Sequence, residues 1–297
     1  LDIWPNNLKE YVFTWMDKNA SGLITNCEFN LKFAFLEDNI SVDQLTGNFD
    51  LSDIEIQYMD SMPSVVMLEG RGFLTNKKVT FDIDSGFSNN LKLVDGTVEL
   101  FDLDTDIEKA DIDLRITSEN NFIIDYLDLS PINRENFSKL RKISGEVDLN
   151  LYLDFPLFVD LKAEEINYSS DVRIFEANMP KIYKNFSVES LILDLKIDPE
   201  IVTYVGTGLT NGSEVSFKGN QSFVNGYVSD NINGKINLRG EFLNSLLNKK
   251  RSNFNGLIPI DFSYITEDES KFKIEGFGDL SSFSADSAFL GDNLDLK

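Results

Sequence analysis

Between Glu146 and Leu157 every second residue is apolar. Val147, Leu149, Leu151, Leu153, Phe155 and Leu157 fall on one side, and Asp148, Asn150, Tyr152, Asp154 and Pro156 on the other. Successive side chains of an extended strand point to opposite faces, so this spacing dictates a strand with one apolar and one wet face. The same rhythm returns along the chain. It is seen in Phe29, Leu31 and Phe33, in Val79, Phe81 and Ile83, and in Ile112, Leu114 and Ile116. Leu191, Leu193 and Leu195 continue it, followed by Ile236 and Leu238, Ile260 and Phe262. An all-β chain follows.

Breaks rich in Gly, Asn and Asp separate these runs: Ser85-Gly86, Asn89-Asn90, Asp95-Gly96, Asn211-Gly212, Asn225-Gly226 and Asn233-Gly234. Such pairs tolerate the positive φ of two-residue hairpin turns, so the runs read as a long antiparallel meander. Roughly 18 to 20 strands fit, and at about 4.8 Å each a continuous sheet would extend near 90 Å. At Leu100 and Phe101 the apolar phase flips, which a β-bulge explains. Helical spacing is brief: 8–16, with Leu8, Tyr11, Val12, Trp15 and Met16 on one stripe, then 134–143 and 241–248. These read as caps on a sheet, and no long crossover separates the strands, which argues against a parallel sheet. The organisation expected is an amphipathic lead-in helix over 1–20 and an elongated β-groove over 21–297. Two sub-segments would meet near 130–145. A start at Leu1 without a basic leader, and an end in a polar strand-like stretch, read as a piece of a longer chain.

Composition removes whole classes of function. The 297 residues are 42% hydrophobic and carry a net charge of −23, which disfavours nucleic acid and flat docking on anionic headgroups. With no histidine, triads and His-based zinc sites are impossible within the chain. The single Cys27 alternates with Phe29 and Leu31 and reads as filler. No apolar run reaches the length of a membrane-spanning helix. Asp102, Asp104 and Asp106 open like a calcium loop, but Ile107 stands where its glycine belongs, so they read as the wet face of a strand. Gly70 and Gly72, and Gly206 and Gly208, lack the helix of a phosphate loop and read as bends or bulges. No acidic pair is singled out for glycoside chemistry. No catalytic residue, metal or cofactor is expected.

An ordered set of landmarks then resembles a known family. Trp4-Pro5, the stripe carrying Trp15 and Ser21 to Ile24 come first; Gly47 to Leu51, Ile54 to Tyr58, Met62-Pro63 and Gly70 to Gly72 follow. Val79 to Gly86, Leu91 to Leu103, Asp111 to Ser118, Tyr126-Leu127 and Pro131-Ile132 come next, then Lys142 to Asp148, Phe155 to Leu157 and Val159 to Asn167. In this order they are similar to the YhdP-like branch of the AsmA superfamily, most closely over residues 1 to 170. The resemblance implies a curved, half-open β-groove with an apolar interior, akin to bridge-like lipid transfer proteins. It implies phospholipid as cargo, carried from inner to outer membrane. It also implies a periplasmic portion of a protein of Gram-negative-type bacteria, anchored in the inner membrane by a helix outside this segment, with an outer-membrane or envelope protein as a possible partner.

The apolar face has three fates. It lines a groove for acyl chains, packs on a second sheet as a dry scaffold, or closes as an outer-membrane barrel. The 24 Phe and 9 Tyr are scattered, not gathered into girdles, which disfavours the barrel. The groove reading assigns the alternating residues named above to the lipid-facing wall.

Overall fold

The computed structural model describes residues 17–36, 39–130, 140–158, 161–183, 186–222, 229–240, 254–268 and 271–285. They are almost entirely strand, and the chain divides into two compact units. The first comprises Leu1–Arg141 with Glu146–Asp171, the second Lys142–Gly145 with Val172–Lys297. Strands hydrogen-bond in chain order, a fifteenth strand joins the thirteenth, and among the described residues no pairing closes that order into a barrel. The sheet is open and antiparallel.

The first unit holds β1 (Ala20–Leu36), β2 (Asn39–Ile56), β3 (Val65–Thr75), β4 (Val79–Ser88), β5 (Leu91–Phe101) and β6 (Lys109–Glu119). Most of β7 (Ser144–Pro156) belongs to it, as does the start of β8 (Asn167–Tyr183). Its core is Leu51, Ile54, Leu68, Ile83 and Leu93, with Phe49, Phe81, Leu114 and Ile116 packed against them. Helix α1 (Asn120–Leu129) follows β6 directly. It buries Ile123 and Ile124, and the Asn120 side-chain amide donates to the Leu140 carbonyl at 2.9 Å. Arg141 pairs with Asp125 at 2.8 Å and also with Asp128.

The second unit holds the rest of β8, then β9 (Phe186–Ile197), β10 (Ile201–Thr210), β11 (Ser213–Ser222) and β12 (Ser229–Arg239). It ends with β13 (Phe254–Asp268), β14 (Lys271–Gly278) and the short β15 (Phe283–Ala285). The β10–β11 hairpin turns through Asn211 and Gly212, with φ of 47° and 74°, as an Asn-Gly pair should.

Several expectations change. Fifteen strands occur among the described residues, fewer and longer than expected. Ser85-Gly86, Asp95-Gly96 and Asn233-Gly234 lie inside β4, β5 and β12, not in turns. Leu100 and Phe101 pair in register with Ala110 and Lys109, so no bulge lies there. The phase changes because β5 ends, and Phe101 sits under the Lys109 ammonium, 5.7 Å from its ring centre. Asp102, Asp104 and Asp106 occupy the following turn, not a strand face. Asp104 meets Lys77 at 2.9 Å and Asp102 meets Lys109 at 3.3 Å. Gly72 and Gly206 sit in continuous pairing within β3 and β10, not in bends or bulges, whereas Gly70 and Gly208 lie at register shifts against β4 and β9, as the bulge reading expects. The helices expected over 8–16 and 241–248 lie outside the described residues, as does most of 134–143, whose end is a 3₁₀ turn at 140–142.

Candidate functional site

Directly opposed residues in antiparallel strands share a face, so the registers show which side chains meet. In the first unit one transverse row runs Phe49, Gly72, Phe81, Val98, Ile112, Leu153 from β2 to β7. The next runs Leu51, Gly70, Ile83, Gly96, Leu114, Leu151. A third joins Leu93, Ile116 and Leu149, and a fourth joins Phe29, Gly47, Leu74, Val79 and Leu100. Leu31 faces Leu45, and Val147 faces Ser118. The thirteen candidates of this unit thus belong to one apolar surface, with Phe33 lying beyond a register shift between β1 and β2. Ile83 and Val147 are buried, whereas Phe29 and Phe33 on β1 are 43% and 52% exposed.

The second unit repeats the arrangement. Leu193, Gly206, Phe217, Gly234 and Phe262 form one row, and Leu195, Tyr204, Gly219, Ile232 and Tyr264 another. Val215, Ile236 and Ile260 form a third, with Leu238 opposite Ile258 beyond it. Leu191, Leu193 and Leu195 are only 0–4% exposed, while Ile260 and Phe262 are half-buried. Where the rows end, Asp230 lies beside Tyr204. Burial raises that phenol first, and the Asp230 charge and Tyr264 add to it.

The opposite face is charged and locally compensated. Arg115 donates to both carboxylate oxygens of Asp148, at 3.1 and 2.8 Å, which holds Asp148 below the usual carboxylate range. Lys78 meets Glu99 at 2.5 Å, Arg173 meets Asp194 at 3.5 Å and Lys235 meets Asp261 at 3.2 Å. A depression of about 570 Å³ on this face of the first unit is lined by Asp82, Thr97, Asp113, Arg115 and Asn150. It sets the Arg115 guanidinium among the carboxylates of Asp82, Asp95 and Asp113, and Ile83 also lines it. Among the described residues no group of His, Cys, Asp and Glu is arranged to hold a metal ion.

Each unit therefore carries a sided sheet, apolar along consecutive strands on one face and ion-paired on the other. The family model for the YhdP protein matches residues 3–275. This chain belongs to the YhdP family. No curated protein and no solved structure matches it. The YhdP family is part of the AsmA-like bridge-lipid-transfer group, a lipid-transport and not an enzyme family, and one of the Gram-negative cell envelope. No helix among the described residues is long and apolar enough to cross a membrane.

The sequence reading missed much of the surface's centre: Phe49, Leu51, Leu68, Leu93, Tyr204, Val215 and Phe217. Two signals were present. Apolar residues three apart, as in Leu51 and Ile54, mark a bulge inside a strand, and a glycine opposite an aromatic marks a ring needing room.

Proposed function

We propose that the apolar face of each unit carries phospholipid acyl chains between the inner and outer membranes, without catalysis. The observation that supports this is register: apolar residues of consecutive strands fall in line on one face while charges stay on the other. An acyl chain crossing water loses about 0.8 kcal/mol of burial per CH₂. Apolar contact is non-directional, so neighbouring positions along such a face are close in energy and a chain slides. A headgroup needs only water beside it. Anchoring in the inner membrane and delivery to an outer-membrane or envelope partner belong to the same proposal, with the periplasm as the compartment.

Photo-crosslinking residues at Leu149, Leu151 and Ile260 test it, with Asn150 and Asp261 as controls on the charged face. Phospholipid captured in cells at the first three and not at the controls is the expected result. Crosslinks only to protein would overturn the reading. One observation favours a scaffold without cargo: Leu191, Leu193 and Leu195 are already covered. In that case the purified chain yields no lipid on organic extraction.

A further inference from the structure

Five glycines on the apolar faces lie directly opposite an aromatic residue whose ring fills the space where their side chain would be. Phe29 covers Gly47 and Phe49 covers Gly72 in the first unit. Phe217 covers Gly206, Tyr204 covers Gly219 and Phe262 covers Gly234 in the second. A Cβ built on any of these glycines would overlap the ring. None of the five glycines has positive φ, so backbone freedom does not explain them. Each ring lies over its neighbour strand instead of standing away from the sheet, and Phe49, Phe217 and Phe262 stay half-buried. In the row Gly206, Phe217, Gly234, Phe262, an aromatic recurs every second strand, about 9.6 Å at the usual strand spacing.

We infer that these glycine–aromatic pairs set the clearance above the apolar face, so that one methyl at a covered glycine lifts a ring into the path of an acyl chain. The inference rests on the lipid-carrying reading. It makes the glycines determinants of passage, although they are not contact residues themselves. Gly72 and Gly206 are the cleanest positions, because the three nearest neighbours of an added Cβ there are all ring atoms of Phe49 and Phe217. At Gly219 and Gly234 backbone oxygens crowd the same space. Gly276 is the control: it faces Phe262, but its nearest neighbours would sit at an ordinary 3.6 and 3.7 Å.

The test compares phospholipid per chain extracted from purified wild type, Gly72→Ala, Gly206→Ala, Gly276→Ala and the double variant Gly72→Ala with Phe49→Leu. Thermal melting checks folding, and the Gly72 α-proton shift under the Phe49 ring current reports ring position whether or not lipid binds. A several-fold loss of lipid in Gly72→Ala and Gly206→Ala, a full load in Gly276→Ala and recovery in the double variant support the inference. Phe49→Trp enlarges the ring without touching the backbone and should lower the load even where Gly72→Ala fails to fold. A wild-type load in folded Gly72→Ala and in Phe49→Trp overturns the inference and leaves the lipid reading standing. Absence of lipid from wild type, with the ring-current shift present, overturns both.

Discussion

Two aspartates that look alike in sequence are set in opposite directions by their neighbours. Asp111 stands in register with Asp154 across β6 and β7, and its pKa is raised, by desolvation first and then by that second carboxylate. The Tyr152 hydroxyl donates to Asp111 at 3.2 Å and opposes the shift. An acid with a raised folded pKa costs stability above the carboxylate range, and that cost fades as pH falls. Asp111→Asn should therefore stabilise the chain at neutral pH by about 0.2–1 kcal/mol, the usual scale of a cross-strand pair. The gain should shrink as pH falls toward about 4. Asp148 behaves inversely: Arg115 lowers its pKa, so its contribution is present above the unfolded value near 3.9 and lost below it. Asp148→Asn should destabilise at neutral pH, by less than about 1 kcal/mol because the pair is partly exposed. Urea unfolding across the acid range separates the two, and a shift of the same sign in both variants would refute the assignment.

At the level of strands, the bulges keep the apolar face apolar. Val188 and Leu191 are both buried although three residues apart, and Ser190 between them has φ 49° at a register shift. Ile174 and Ala177 flank Glu176 at φ 50°, and Leu51 and Ile54 flank Asp53 at φ 51°. One extra residue in the left-handed region returns the next apolar side chain to the same face. For a non-glycine that conformation costs about 1–2 kcal/mol. Ser190→Gly should therefore raise the melting temperature, whereas Glu189→Gly, in ordinary strand geometry, should lower stability by about 0.5–1 kcal/mol. Equal losses in both would mean that the bulge carries no strain. The same pattern explains what the sequence could reveal. Unbroken alternation, as in β6 and β7, identified the strands and the residues sharing a face, because a period of two has one structural meaning. Spacing changes hid bulged strands such as β2. Gly96 and Gly234 read as turns because glycine serves both for positive φ and for space beneath a neighbour. The α1 stripe of Ile123, Ile124 and Leu127 was too short to stand out between strands. What covers the apolar face leaves no mark in a strand's own period, since alternation is the same against lipid as against protein.

For the whole chain the dominant property is a charge of −23, and under the proposed lipid-carrying function it would set how lipid reaches the apolar faces. A donor membrane rich in anionic lipid repels this surface over a distance fixed by salt, about 30 Å at 0.01 M and about 10 Å at 0.1 M. The repulsion acts on the approach and not on the apolar contact that follows, so it belongs to the rate of loading. Uptake of a fluorescent phospholipid from anionic vesicles should accelerate several-fold as salt rises through that range. Uptake from zwitterionic vesicles should change little, because their surface carries no net field to screen. Stopped-flow transfer with both vesicle types distinguishes the steps. Salt-independent rates from both would mean that chain extraction, not encounter, limits loading. Faster uptake from anionic vesicles at low salt would show that local cationic patches outweigh the net charge. The expected order implies that efficient loading at an anionic surface draws on more than the net field, since cations such as Arg115 and Lys235 are held in cross-strand pairs with Asp148 and Asp261.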